Sequence, residues 1–238
     1  MQTIYEPNGR AKEYGELALN MYRGCSHGCV YCYAPKILRM NMEEFCNPQP
    51  RPNVIEELKK AAPKYAGREV FLSFTCDPYQ DINYQYLHTR EAIKILHQNN
   101  ISIRILTKAG YASMGDFDLF LQGYEDFYGA TLTFIDDSLS RKYEPYAAHP
   151  GVRMNALYLA HNQGINTWVS IEPVIDPEQS LEIIRMTHEY VDEYKVGKWN
   201  YDEQAKEIDW KDFTQKAIAL LENYNKKYYI KEDLRKYL

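Results

Sequence analysis

Three cysteines, Cys25, Cys29 and Cys32, lie within eight residues in the segment Gly24-Cys25-Ser26-His27-Gly28-Cys29-Val30-Tyr31-Cys32-Tyr33. Three thiolates on one loop can each take one iron of a [4Fe–4S] cube, leaving the fourth iron without a protein ligand. Glycine tolerates positive φ without steric cost, so Gly24 and Gly28 let the loop bend tightly around such a group. The alternative for the same residues is zinc, held by the three sulfurs and His27; the spacing favours the cluster. Two more cysteines, Cys46 and Cys76, stand alone. An odd total of five argues against a disulfide framework, and two spare thiols are too few for a second cluster, which needs about four ligands.

The elements that must position this loop are read from hydropathy. The chain has 238 residues, 45 % hydrophobic and 26 % charged, with 28 Lys+Arg against 33 Asp+Glu and a net charge of −5. These are the proportions of an ordinary globular domain with one large core. No apolar run is long enough to cross a membrane, and residues 1–6 carry neither a basic nor an apolar signal region, so the expected location is cytoplasmic. Mild acidity disfavours a generic nucleic-acid coat but leaves room for a local basic site.

Short apolar runs at 18–22, 70–74, 102–106, 129–134, 167–171 and 191–196 alternate with amphipathic stretches. Most are apolar on both faces, as strands buried on both sides of a parallel sheet must be. Asn53, with Glu56 three residues on, predicts a capping box for a helix from Val54. Asp176-Pro177, followed by Gln179, predicts a second helix start. Val152, Ala156, Leu157, Leu159 and Ala160 share one helical face that Gly164 terminates. Six strand–helix units predict a single α/β domain spanning 1–238, a partial six-fold barrel of TIM type with the cysteine loop at its carboxyl-end mouth. Residues 198–238 are expected to form a closing helix and tail.

The cysteine spacing, with the aromatic Tyr31 directly before Cys32, resembles the radical S-adenosylmethionine (radical SAM) superfamily. Tyr22-Arg23-Gly24-Cys25-Ser26-His27-Gly28-Cys29, Thr75-Cys76-Asp77-Pro78-Tyr79-Gln80, Thr107-Lys108 and Ser170-Ile171-Glu172-Pro173-Val174 are similar to its spore photoproduct lyase-like, or DNA repair photolyase-like, branch. The likeness covers roughly residues 15–200. It implies a [4Fe–4S] cluster on Cys25, Cys29 and Cys32, with SAM chelated at the open iron. Reductive cleavage of SAM then gives a 5′-deoxyadenosyl radical that abstracts hydrogen from a substrate.

The resemblance also assigns further residues. Tyr31 and Tyr33 flank the third cysteine on the cofactor side. The stretch that holds the SAM amino group in such enzymes is glycine-rich; here it is Ser73-Phe74-Thr75-Cys76-Asp77, which departs from that pattern, although Thr75 and Asp77 supply acceptors suited to an ammonium. An ordinary turn beginning at Asp77-Pro78 is the alternative. Thr107 and Lys108 end the third strand, where they could meet the SAM carboxylate. Glu172 interrupts an apolar run and must be exposed at the mouth or paired, because burying it alone is costly; ribose hydroxyls are the partner the resemblance suggests. Lys195 is either a snorkelling lysine or a charge facing the cofactor. Cys76 is a candidate hydrogen donor by analogy with the lyases, although isolated cysteines are most often inert and buried.

Partners follow from the same resemblance: an electron donor of flavodoxin or ferredoxin type, and nucleic acid as a substrate. Arg23, Lys36 and Arg39 make the cysteine segment locally cationic. Tyrosines interleaved with lysines in the tail suit single-strand contacts, as they also suit an amphipathic helix. The alternatives are modification of a small molecule or peptide, and a metal-binding structural protein without catalysis.

Overall fold

Ten strands organise the chain: β1 (Ile4–Tyr5), β2 (Ala18–Leu19), β3 (Tyr22–Arg23), β4 (Gln49–Pro50), β5 (Glu69–Leu72), β6 (Ser102–Thr107), β7 (Phe127–Thr131), β8 (Asn166–Val174), β9 (Glu193–Lys198) and β10 (Lys227–Ile230). They come from a computed structural model that describes residues 2–238. Eight form one sheet in the order β1-β2-β5-β6-β7-β8-β9-β10, and β3 pairs with β4 in a separate antiparallel ribbon. Within the eight-stranded sheet, among the described residues, every pairing from β2 to β10 is parallel, and β1 runs antiparallel on β2. This is an α/β fold of the partial TIM-barrel kind, as expected from the alternating apolar runs.

Period-two alternation sorts the side chains of each strand between two cores. Val70, Leu72, Ile103, Ile105, Val169 and Ile171 join a cluster with the helices, to which His88–Gln98, Pro150–Asn162, Pro177–Thr187 and Trp210–Asn223 contribute their apolar faces. The intervening Phe71 and Trp168 point the other way, where Ala18, Tyr14, Phe74, Leu106 and Phe127 complete an inner, largely aromatic cluster. Below it, near the strands' amino ends, Arg104 pairs with Glu69 and Glu193, both at 3.2 Å, and lays its guanidinium 4.0 Å from the Phe127 ring centre. The barrel is thereby plugged at that end by packed charge.

Helix boundaries follow local chemistry in most places. Asp176 accepts from the Gln179 amide and Pro177 occupies the first turn, as predicted. Gly164, at φ +84°, ends the helix Pro150–Asn162. The expected capping box at Asn53 is not formed: the helix Val54–Ala61 is present, but Asn53 takes a left-handed backbone and its side chain caps nothing. The box appears instead at Asn41, which exchanges hydrogen bonds with Glu44. The strand expected over 18–22 stops at Leu19, because Tyr22–Arg23 leaves the barrel to pair with Gln49–Pro50. In the tail, Lys227–Ile230 adds a seventh parallel strand alongside β9. No helix is long and apolar enough to cross a membrane among the described residues.

Candidate functional site

The cysteine loop begins where β3 ends. Gly24 adopts φ +90°, and a Cβ there would meet the Phe45 carbonyl oxygen at 2.5 Å. The Cys25 amide donates to that same oxygen at 2.8 Å, so the close approach is what closes the turn. Gly28, at φ +63°, lets the Tyr146 ring lie against the loop, 3.1 Å from where a Cβ would sit. The Cys32 amide then donates to the Cys29 carbonyl at 3.0 Å, and the chain enters the helix Ala34–Leu38.

Three anchors hold this loop across the ends of the strands. Gln80, fully buried after β5, accepts from the Ser26 amide at 2.9 Å and donates to the Gly24 carbonyl at 3.1 Å. Asp77 meets His27 Nε2 at 3.1 Å while accepting from the Thr107 hydroxyl at 2.7 Å, the Lys108 amide at 2.7 Å and the Tyr79 amide at 2.9 Å. Beyond β7, Glu144 accepts from the Tyr31 hydroxyl and pairs with Arg153 at 2.6 Å. The backbone joins in, with the Val30 amide donating to the Tyr143 carbonyl and the Tyr146 amide to the His27 carbonyl.

Electrostatics of the loop follow from burial. Burial pushes all three thiols up, Cys29 to about 12, with the Lys108 ammonium the strongest opposing influence on Cys29. A thiolate is costly here without added positive charge, which bound iron supplies. Among the described residues no three His, Cys, Asp or Glu side chains converge on a point that would hold a single ion. The donor set therefore fits a polynuclear cluster, in which each sulfur takes its own iron, better than a mononuclear zinc site.

The other residues singled out in the sequence fall into distinct places. Thr107, Lys108 and Asp77 meet at the ends of β5 and β6. Burial would raise the Asp77 carboxyl, but the His27 imidazole beside it and the hydrogen bonds from the Lys108 amide and the Thr107 hydroxyl pull it down to about 2. Its two oxygens thus already serve four partners within the protein. Lys108 is half-buried with its ammonium 5.7 Å from the Tyr31 ring centre, and among the described residues no carboxylate lies within ion-pairing distance of it. Thr75 is fixed by its amide, which shares Asn20 Oδ1 with the Phe74 amide. Tyr33 is half-exposed and donates to the Phe74 carbonyl at 3.1 Å.

Glu172 is paired. Lys231 reaches its two oxygens at 2.9 and 2.8 Å, the Tyr14 hydroxyl donates to it, and Gly197 leaves it room, since a Cβ there would lie 2.5 Å from its Cδ. Lys195 lies deeper: it donates to the Glu13 and Tyr14 carbonyls at 2.9 and 3.2 Å and faces the Tyr14 and Trp168 rings. Burial, with the Arg104 charge adding to it, lowers Lys195 to about 8. Cys76 is buried in the larger core, and burial pushes its thiol up to about 11 while the Ser73 hydroxyl and the Tyr22 and Met21 backbone interact with it.

Glu144, Arg153, Tyr14 and Lys231 support the site without any mark in the sequence, because each acts over a long separation that no local motif signals; Gln80 closes the Thr75–Gln80 motif, but its hold on the loop at Gly24 and Ser26 shows only in the fold. The one available signal was that a carboxylate in an apolar run needs a partner, which pointed to Glu172 without naming Lys231.

A partial barrel carrying a three-cysteine loop over the carboxyl ends of its strands defines a class, and the comparison with known families agrees: residues 19–191 match the radical SAM superfamily model, and the chain belongs to that superfamily. Among curated relatives it is 26 % identical to the uncharacterized protein MJ0683 of Methanocaldococcus jannaschii, over 70 % of this chain and 63 % of that one. It is also 26 % identical to the uncharacterized protein ORF301 of Acidianus two-tailed virus, over 77 % and 64 %. The chain thus spans slightly less than two thirds of either relative. Among solved structures it is similar to a spore photoproduct lyase variant with bound SAM and dinucleoside spore photoproduct, with TM-score 0.72 at 13 % identity over 94 % of this chain and 78 % of that one. Streptococcus suis SuiB bound to SAM gives TM-score 0.64 at 12 % identity, over 90 % and 49 %. At such identities the likeness is one of fold.

Proposed function

We propose that this protein is a radical SAM enzyme that holds a [4Fe–4S] cluster on Cys25, Cys29 and Cys32 and binds SAM beside it at the barrel mouth. The observation that carries this reading is the cysteine loop, fixed at three strand ends with Cys29 buried, Cys25 and Cys32 half-buried, and no protein cation paired to any of the three sulfurs among the described residues. When bound and reduced, the cluster would supply the electron that cleaves SAM to methionine and a 5′-deoxyadenosyl radical, which abstracts hydrogen from the substrate. The protein's own residues position and shield. Gln80 and the Asp77–His27 pair fix the loop, Lys108 offers an unpaired cation to the SAM carboxylate, and Tyr31, Tyr33 and Thr75 line the cofactor side. Asp77 acts as the brace between loop and strands, since its acceptors are already used.

A low-potential donor of flavodoxin or ferredoxin type would supply the electron. For the substrate, a DNA lesion is the reading we favour. Tyr201, 86 % exposed, lies beneath the Arg10 guanidinium at 5.3 Å, itself paired with Asp233, and near the Lys36 ammonium at 6.0 Å, an aromatic rim with a cation beside it that suits a nucleic-acid strand. The tail tyrosines are engaged internally: Tyr228 with Glu222, Tyr229 with Glu13 and Tyr237 with Lys198. The solved lyase similar in fold carries a dinucleoside spore photoproduct.

Anaerobic reconstitution tests the cofactor assignment. The wild type is expected to take up about four irons and Cys25→Ala, Cys29→Ala and Cys32→Ala to lose the chromophore while staying folded. For the substrate, binding to single- and double-stranded DNA that weakens steeply with salt supports the lesion reading; no binding, or salt-insensitive binding, favours a small molecule or peptide.

A further inference from the structure

Behind the cysteine loop lies an ion pair that sequence motifs did not mark. Glu144 and Arg153 are each 1 % exposed. Arg153 spends its guanidinium on three acceptors: Glu144 Oε2 at 2.6 Å, the Ala148 carbonyl at 2.6 Å and the Thr131 carbonyl, at the end of β7, at 3.1 Å. The other Glu144 oxygen accepts from the Tyr31 hydroxyl. Lys108 stands next to this pair, because its carbonyl accepts from the Ala148 amide at 3.0 Å and its ammonium faces the Tyr31 ring. Lys108 and Glu144 feel each other's charge, yet they form no direct ion pair.

We propose that Arg153 is a positioning residue: by holding Glu144, it keeps the Lys108 ammonium free for the carboxylate of bound SAM. A carboxylate as deeply buried as Glu144 must have a cation, since an unpaired charge in that setting is strongly unfavourable. After Arg153, Lys108 is the cation whose charge acts most on Glu144, and its capture by Glu144 would withdraw it from the mouth. Arg153 thus acts on the cofactor only through Lys108. The inference rests on the SAM-binding reading above and goes beyond it by assigning two residues that touch neither cluster nor SAM.

Equilibrium dialysis of SAM, without reductant, on reconstituted protein tests it, with melting temperature and iron content measured alongside. Arg153→Gln is expected to weaken SAM binding about ten-fold, and Arg153→Gln with Glu144→Gln to restore it to within about three-fold, because no carboxylate then competes for Lys108. In a Lys108→Met background, adding Arg153→Gln is expected to change binding less than about two-fold. The inference is overturned if Arg153→Gln binds like the wild type, if its effect adds undiminished to that of Lys108→Met, or if the charge-free double variant binds about ten-fold more weakly at an unchanged melting temperature. The double variant buries no unpaired charge, so it keeps the test decisive should Arg153→Gln fail to fold. A wild type that takes up no iron or binds no SAM would instead defeat the underlying reading.

Discussion

At the scale of residues, each buried carboxylate of the site is matched to a particular partner. Asp77 shows what that matching contributes. Its carboxyl lies at about 2 against an ordinary 3.8, so the unfolded chain binds more protons than the folded one between those values. The stabilisation, about 2 kcal/mol at roughly 1.4 kcal/mol per pH unit, is complete above pH ~4 to 5 and is lost as pH falls toward 2. The free energy of unfolding, measured by urea titration at pH 6, 4 and 3, is expected to fall through this window in the wild type. Asp77→Asn should be less stable at pH 6 by about 3 kcal/mol and lack that part of the slope; parallel curves would contradict the pairing. Of this site, the cysteines were legible in the sequence because their chemistry is local, three thiols and two glycines within nine residues. Gln80, Glu144 and Arg153 were not, since a hydrogen bond from residue 80 to residue 24, or an ion pair between two polar-looking segments, exists only after the strands have been assembled.

Elements position these residues through close steric fits, and two glycines carry them. Gly129 on β7 lies where a Cβ would fall 2.2 Å from Trp168 Nε1, the atom that donates to the Ile105 carbonyl at 2.8 Å. Gly129→Ala is expected to lower stability by about 2–3 kcal/mol, through overpacking of the inner cluster. A thermal melt checks it, and an unchanged melting temperature would show that Trp168 can move without cost. Gly197→Ala strikes Glu172 instead, so it should displace that carboxylate from Lys231; a lower melting temperature with little loss of secondary structure is the expected result, read by calorimetry and circular dichroism, and an unchanged melting temperature would contradict the fit. The six main strands were legible because runs such as Ile103, Ile105 and Leu106 are apolar on both faces, the signature of a covered parallel sheet. β10 was not: Lys227, Tyr228 and Tyr229 read as a polar tail, and only pairing with β9 and docking of Tyr229 against Glu13 make a strand of them. The Asn53 cap failed for a related reason. Its left-handed backbone, set by the turn entering the helix, rotates the side chain away from the amides it was expected to cap.

Across the whole molecule, the two ends of the chain close the barrel together. Glu13 accepts from the Glu232 amide at 2.8 Å and from the Tyr229 hydroxyl at 3.2 Å, Arg10 pairs with Asp233 at 2.9 Å, and Lys231 joins Glu13 to Glu172. The clasp thus ends on a residue of the mouth. Lys231→Met would leave two half-buried carboxylates sharing no cation, an expected loss of about 2 kcal/mol, below the fully buried range, with faster proteolysis of both terminal segments as its signature; intact termini under limited proteolysis would contradict the coupling. Plug, aromatic layer, clasp and anchored loop together fit the proposal of one reactive group held at the barrel mouth. The most direct measurement of that claim is anaerobic incubation of the reconstituted wild-type protein with SAM and dithionite, followed by chromatography for 5′-deoxyadenosine. The account predicts 5′-deoxyadenosine in the wild type and none in the Cys25→Ala, Cys29→Ala or Cys32→Ala variants. A protein that carries its cluster and binds SAM yet yields no 5′-deoxyadenosine, or yields it equally with the cysteines replaced, would contradict it.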